Sequence, residues 1–252
     1  MLTVNRSDIG RIRMANEDRS WAGVTSGGLT MAIVADGMGG HQAGDVASQL
    51  AVDAFREAME PLQAGTSAEE AQRCLREAIA RANEVVYDMA SRNEQYHNMG
   101  TTVVAALFIE ESLLVIGHIG DSRAYRISSG SAITQLTEDH TLVNELVRSG
   151  QISAEEAAHH PRRNVLTRAL GTDDEVELDV QTFDWSGDDI LLLCSDGLSG
   201  MISDEDILQA VSAQASLDEK ADRLISMALA AGGDDNITVV LLQSGAGTGG
   251  EE

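Results

Sequence analysis

Leu29-Thr30-Met31-Ala32-Ile33-Val34-Ala35-Asp36-Gly37 is an apolar run that stops at a carboxylate and a glycine. Such a run, bounded by turn-forming residues, reads as a buried strand. The pattern recurs at residues 101–109, 113–119, 190–194 and 237–242. Gly120-Asp121-Ser122 and Ser195-Asp196-Gly197 close two of these runs, and Gly233-Asp234-Asp235-Asn236 opens the last. Between them lie helical patterns with long polar faces at residues 44–59, 67–92, 142–149, 205–213 and 217–231. Ser67-Ala68-Glu69-Glu70 and Ser203-Asp204-Glu205-Asp206 read as capping-box starts for two of these helices. Strands and helices do not alternate strictly, which argues for α+β layers over a doubly wound parallel sheet.

The 252 residues permit one large core or two small ones, and no interdomain linker or internal repeat stands out. Residues 1–243 are expected to form a single catalytic domain, and the Gly-rich residues 244–252 a disordered tail. With 43% apolar residues and no apolar run long enough to span a bilayer, the chain is expected to be soluble and free of membrane contact. Its first residues lack the basic and apolar segments of a signal peptide, so the expected location is the cytoplasm. A formal charge of −24 opposes binding to nucleic acid. Cys74 and Cys194 read as small core hydrophobes without a disulfide. Neither is followed at the fifth position by the Arg that a thiolate phosphatase uses, since Ile79-Ala80 and Ser199-Gly200 stand there.

One Asp-Gly is an ordinary turn signal. Several at the ends of strongly apolar strands suggest carboxylates that converge, and converging carboxylates repel unless cations lie between them. An all-oxygen donor set suits Mg2+ or Mn2+ better than zinc. Two such ions sharing a carboxylate favour hydrolysis of a phosphoester.

Taken in order, Arg13-Met14-Ala15-Asn16-Glu17-Asp18, Ala35-Asp36-Gly37-Met38-Gly39-Gly40-His41, Gly100-Thr101-Thr102, Gly120-Asp121-Ser122-Arg123-Ala124-Tyr125, Ser195-Asp196-Gly197-Leu198 and Gly232-Gly233-Asp234-Asp235-Asn236-Ile237-Thr238 carry a resemblance. They closely resemble the motifs of the PPM, or type 2C, metal-dependent Ser/Thr protein phosphatases, in their bacterial branch. The resemblance implies an αββα sandwich, with two antiparallel β-sheets flanked by pairs of helices. It also implies hydrolysis of phosphoserine and phosphothreonine in proteins by direct attack of a metal-bridging hydroxide.

By the same resemblance, Asp36 bridges two Mn2+ or Mg2+ ions, with the Gly37 carbonyl, Asp196 and Asp235 completing the coordination. Asp18 acts through water, and Glu17 shares the motif with a weaker case for contact. Asp121 matches a ligand of a third, weaker metal site, with a strand-end turn as the other account. Arg13 matches the substrate-binding phosphate clamp, for which a guanidinium fork is suited. His41 has two readings, a catalytic proton donor or a His that caps the following helix. The glycines around it are read as allowing close backbone approach to metals. Residues 138–171 correspond to a flap bordering the site, where His160, Arg162 and Arg163 have either substrate contact or a plain surface role. His118 reads as a satisfied core histidine; His97 and His140 carry no signal. The implied partners are phosphoproteins and an opposing Ser/Thr kinase, and the chain is expected to be a monomer.

Three other readings compete. A phosphatase of small phosphorylated metabolites would share the site, a catalytically dead relative would have lost ligands, and a calcium-binding structural domain would gain stability from Ca2+ without activity.

Overall fold

The computed structural model describes residues 1–39, 43–109, 112–128 and 132–244. The chain opens with the strands β1 (Leu2–Asp8), β2 (Asp18–Val24) and β3 (Thr30–Met38), then the helices α1 (Ala43–Met59) and α2 (Ala68–Arg92). Next come β4 (Gly100–Thr101), β5 (Val103–Ile109), β6 (Leu113–Ile119), β7 (Arg123–Ser128) and β8 (Ala132–Gln135). The short helices α3 (Leu142–Arg148) and α4 (Ala154–Ala158) lead to β9 (Asp179–Asp184) and β10 (Asp189–Cys194). The helices α5 (Asp196–Ser199), α6 (Asp204–Ser212) and α7 (Leu217–Ala231) precede the strand β11 (Ile237–Gln243).

These strands form two antiparallel sheets, one ordered β1-β11-β10-β7-β8 and the other β2-β3-β5-β6-β9, with β4 paired to β3. Side-chain alternation along β3 explains how they stack. Met31, Ile33 and Ala35 pack against α1 and α2, whereas Ala32 and Val34 face the other sheet, meeting Leu191, Leu193, Val240 and Leu242. On the far face of the first sheet, Leu192, Val239 and Leu241 pack against Ile207, Leu224 and Ala228 of α6 and α7. The result is four layers, helices, sheet, sheet and helices. A strand buried on both faces has no polar side to show, which is why the central strands read as unbroken apolar runs.

The expected strand at residues 101–109 is interrupted at Thr102, because Thr101 pairs with Leu170 and the Thr102 amide donates to the Asp36 carbonyl at 2.9 Å. At the start of α2, Ser67 accepts from the Glu70 amide, and no return bond from the Glu70 side chain accompanies it; Glu70 instead pairs with Arg73. Ser203 does form a two-way capping box, as do Ser153 and Ser216, which the sequence reading did not single out. Caps of this kind contribute about 1 kcal/mol each. Both cysteines are free; Cys194 is buried in β10, but Cys74 is only half-buried on α2. Of the Gly-rich tail, residues 245–252 lie outside the described residues.

Candidate active site

One end of the sandwich gathers the strand-end carboxylates. Asp18 begins β2 and lies directly opposite Asp36 near the end of β3, because the two strands pair antiparallel in that register. Asp121 follows β6, Asp196 follows β10, and Asp235 precedes β11. Asp36, Asp121, Asp196 and Asp235 line one cavity of about 530 Å3 together with Arg13, Glu17 and Gly37. Asp18 does not line this cavity and is buried at 2% exposure.

Hydrogen bonds fix these groups. The Ser195 hydroxyl donates to Asp18 Oδ2 at 2.7 Å and accepts from the Thr238 amide at 3.0 Å. Thr102 Oγ1 accepts from the Asp36 amide at 3.1 Å and pairs with Ser122 Oγ at 2.7 Å. Asn236 holds the N-terminal loop: its Nδ2 donates to the Ile9 and Ala15 carbonyls at 2.9 and 3.0 Å, and its Oδ1 accepts from the Glu17 amide at 2.8 Å. The Arg11 amide adds a bond to the Gly233 carbonyl at 2.7 Å. Arg13 therefore projects from a loop anchored on the turn before β11. None of Ser195, Asn236, Thr102 or Ser122 was singled out for a role in the sequence, although each adjoins a motif aspartate or glycine.

The charges at this end are not satisfied. Asp18 Oδ1 and Asp196 Oδ1 are buried without a hydrogen-bond partner. Burial, with the negative charges of Asp196 and Asp235, pushes the Asp18 carboxyl up to about 6 despite its bond from Ser195. Burial and the neighbouring Asp196 and Asp139 push Asp121 to about 7. Asp36 is raised well above the usual carboxylate range by burial and four surrounding carboxylates, and Asp196 is raised by burial and Asp235. Burial also raises Glu17, against the opposing charge of Arg13. Keeping these carboxylates ionised at neutral pH therefore works against the metal-free fold.

A fold carries such a cost where a cation offsets it. The donor set is oxygen only, as Mg2+ or Mn2+ requires, and the orphaned Asp18 and Asp196 oxygens supply free lone pairs. The residues present thus fit divalent cations. Arg13 Nη2 donates to Asp235 Oδ2 at 2.6 Å, placing the guanidinium at the cavity mouth with half its side chain exposed.

The glycine at 37 is also required by chain packing, since a Cβ there would come within 2.0 Å of the Gly44 carbonyl oxygen and 2.7 Å of the Glu17 carbonyl oxygen. In the flap, Asn164, Leu166, Thr167 and Arg168 line the carboxylate cavity; Arg163 lines a neighbouring one, and His160 and Arg162 line neither. His140, for which the sequence offers no signal, is buried and donates its backbone amide to the Gly120 carbonyl at 3.0 Å. His41 lies outside the described residues. Burial pushes the Cys194 thiol up to about 12, against thiolate chemistry.

The family model for protein phosphatase 2C matches residues 11–237, spanning every one of these carboxylates. The chain belongs to the protein phosphatase 2C family. Among curated relatives of this family, the serine/threonine phosphatase Stp of Listeria monocytogenes is 44% identical over 238 residues, covering 94% of each chain. Among solved structures, the Streptococcus agalactiae serine/threonine phosphatase superposes with a TM-score of 0.91 at 34% identity, over 97% of this chain and 99% of that one. The catalytic domain of the serine/threonine protein phosphatase PstP, solved in complex with two manganese ions, gives a TM-score of 0.82 at 38% identity, covering 95% and 96% of the two chains. The αββα architecture is thus that of protein phosphatase 2C enzymes.

Proposed function

We propose that this chain is a metal-dependent protein serine/threonine phosphatase that removes phosphate from phosphoserine and phosphothreonine in proteins. The observation that carries the reading is the cavity where Asp36, Asp121, Asp196 and Asp235 meet beside Arg13, with buried carboxylate oxygens left unpaired. Asp36, the Gly37 carbonyl, Asp196 and Asp235 would hold two Mn2+ or Mg2+ ions, Asp18 would act through water, and Asp121 would serve a third ion. Bound there, such ions supply a nucleophile from water at neutral pH and neutralise charge on the phosphoryl oxygens.

The protein's own contributions follow from its geometry. Arg13, half-exposed and anchored through its loop by Asn236, can exchange its bond to Asp235 for a fork on two phosphate oxygens. Ser195 and Thr102 hold Asp18 and the Asp36 backbone in place, so that the carboxylates need not reorganise during reaction. Residues 138–171 would act as the flap, with Leu166 to Ala169 forming part of the cavity wall against which the phosphoprotein lies.

We further propose one catalytic unit over residues 1–243, acting as a cytoplasmic monomer opposed by a Ser/Thr kinase. Two free cysteines and, among the described residues, the lack of a helix long and apolar enough to cross a membrane support that setting. The test is release of phosphate from a phosphothreonine peptide with Mn2+ present, for the unmodified chain and for Asp36→Ala. Release by the first and not the second is expected; no release from the unmodified chain would sink the reading.

A further inference from the structure

A second buried cluster lies at the base of the flap. His118 and His140 stack with ring centroids 4.7 Å apart and planes inclined by 20°. His118 Nε2 bonds the Glu138 carbonyl at 2.8 Å, and His140 Nε2 lies 3.2 Å from Asp179 Oδ2. Ligand atoms of His118, His140 and Asp179 fall within 4.8 Å of one another, as a metal site would require.

The hydrogen-bond pattern excludes that use. The Gly120 amide donates to His140 Nδ1 at 3.2 Å, which assigns the lone pair to Nδ1 and the ring proton to Nε2; Arg168 Nη1, 3.4 Å from Nε2, then lies against the ring as a charge without a hydrogen bond. An Nε2–H donates to Asp179 and has no lone pair for a metal. A cation is also present already, since Arg168 Nη1 lies 3.8 Å from Asp179 Oδ1 and Nη2 lies 3.3 Å from Glu177 Oε2. Burial lowers the proton affinity of His140 despite its bond to Asp179, in the direction that favours a neutral ring.

The cluster acts instead on the turn that carries Asp121. His140 and Gly120 exchange two bonds, the His140 amide to the Gly120 carbonyl at 3.0 Å and the Gly120 amide to His140 Nδ1. Gly120 has φ +102, and a Cβ there would meet Thr102 at 2.6 Å, so this turn requires glycine, whose freedom makes the two bonds with His140 the local restraint on it. The Thr167 amide donates to the His140 carbonyl at 2.9 Å, tying the returning arm of the flap to the same residue.

We propose that His140, oriented by Asp179, is a positioning residue that fixes the Gly120-Asp121-Ser122 turn and so presents the Asp121 carboxylate to the cavity. The role rests on the phosphatase reading for its effect on turnover, and on the turn alone for its effect on cation binding. Partners of this kind that orient a ligand-bearing segment change metal affinity by about 10- to 100-fold when removed.

The test compares His140→Leu, which leaves the Gly120 amide without an acceptor, with His140→Asn, whose Oδ1 can stand where Nδ1 stood. Mn2+ binding by equilibrium dialysis is expected to show the weakest site of His140→Leu loosened by about tenfold or more, with His140→Asn closer to the unmodified chain. On a phosphothreonine peptide, kcat should fall for His140→Leu while KM changes little, because Arg13 is untouched. Histidine 15N spectra of the metal-free chain should place the His140 proton on Nε2, and Asp179→Ala should blur that signature. Unchanged Mn2+ binding and kcat in a folded His140→Leu would overturn the proposal, as would a proton on Nδ1 or a metal ion held by His140. Should the unmodified chain prove inactive on every phosphopeptide, the phosphatase reading fails. The dialysis and the spectra would still decide the role of His140.

Discussion

Two buried polar clusters lie within the same fold and are built on opposite terms. At the sandwich end, carboxylates repel one another, two of their oxygens have no partner, and the adjacent Arg13 makes a single side-chain bond with half its surface in water. At the flap base, His118, His140 and Asp179 are all partnered, and Arg168 is held between Glu177 and Asp179 with under a third of its side chain exposed. The contrast separates a group of charges that awaits something from one that is already complete. Burial alone does not distinguish them; the unpaired atoms do.

The largest test of that contrast is chemical. Asp36→Asn keeps the shape but removes the charge, and should lower Mn2+-dependent kcat/KM by about a thousandfold or more, because cations in such sites contribute several kcal/mol. A loss of less than tenfold would show that Asp36 is not where the cations bind. The two arginines come next. Arg13→Lys should raise KM for a phosphopeptide by about tenfold, since an ammonium cannot fork across two phosphate oxygens. Arg168→Lys should leave KM within about twofold, because Arg168 is committed to Glu177 and Asp179.

Stability without metal should then move in opposite directions. In a chelator, Asp196→Asn relieves like-charge repulsion and should stabilise the protein by about 1 to 2 kcal/mol, whereas Asp179→Ala strips a partnered group and should destabilise it by a similar amount. Denaturant titration reads both, and equal signs would abolish the distinction. The smallest expected effect is one of pH. Asp18 and Asp121 are raised to about 6 and about 7, so the metal-free fold binds more protons than the unfolded chain. Their contribution to stability is therefore present at low pH and is lost as pH rises through those values. Mn2+ competes with these protons, so the rise in melting temperature that it causes should grow by a few degrees between about pH 5.5 and about pH 7.5. An equal rise at both pH values would remove these carboxylates from the account.

The sequence shows the first cluster more readily than the second for a physical reason. Strand ends at Asp36, Asp196 and Asp235 are visible because the strands before or after them are apolar throughout, and Gly or Asn beside each Asp marks the turn. Asp18 has no such frame: β2 reads Asp-Arg-Ser-Trp-Ala-Gly-Val and is mostly half-buried, so only the motif resemblance distinguished its carboxylate. Asn236 and Ser195 bond to backbone or across more than a hundred residues, and no local pattern encodes that. His118 and His140 stack only because β6 and the flap base meet in space, and their relation cannot be seen from either segment. The packing constraint on Gly37 is hidden for a similar reason, since it comes from the backbone of α1 passing close by.

The pairing of β1 with β11 has a consequence for synthesis. Leu2 lies opposite Gln243, Asp8 lies opposite Ile237, and the amide of Asn236 secures the loop from which Arg13 projects. During synthesis β1 must wait for residues 237–243 before it has its neighbour in the sheet. Until then Asp235 is missing and the Arg13 loop has nothing to rest on. The site is therefore incomplete until β11 joins the sheet, because both a lining carboxylate and the anchor of the Arg13 loop arrive with that strand.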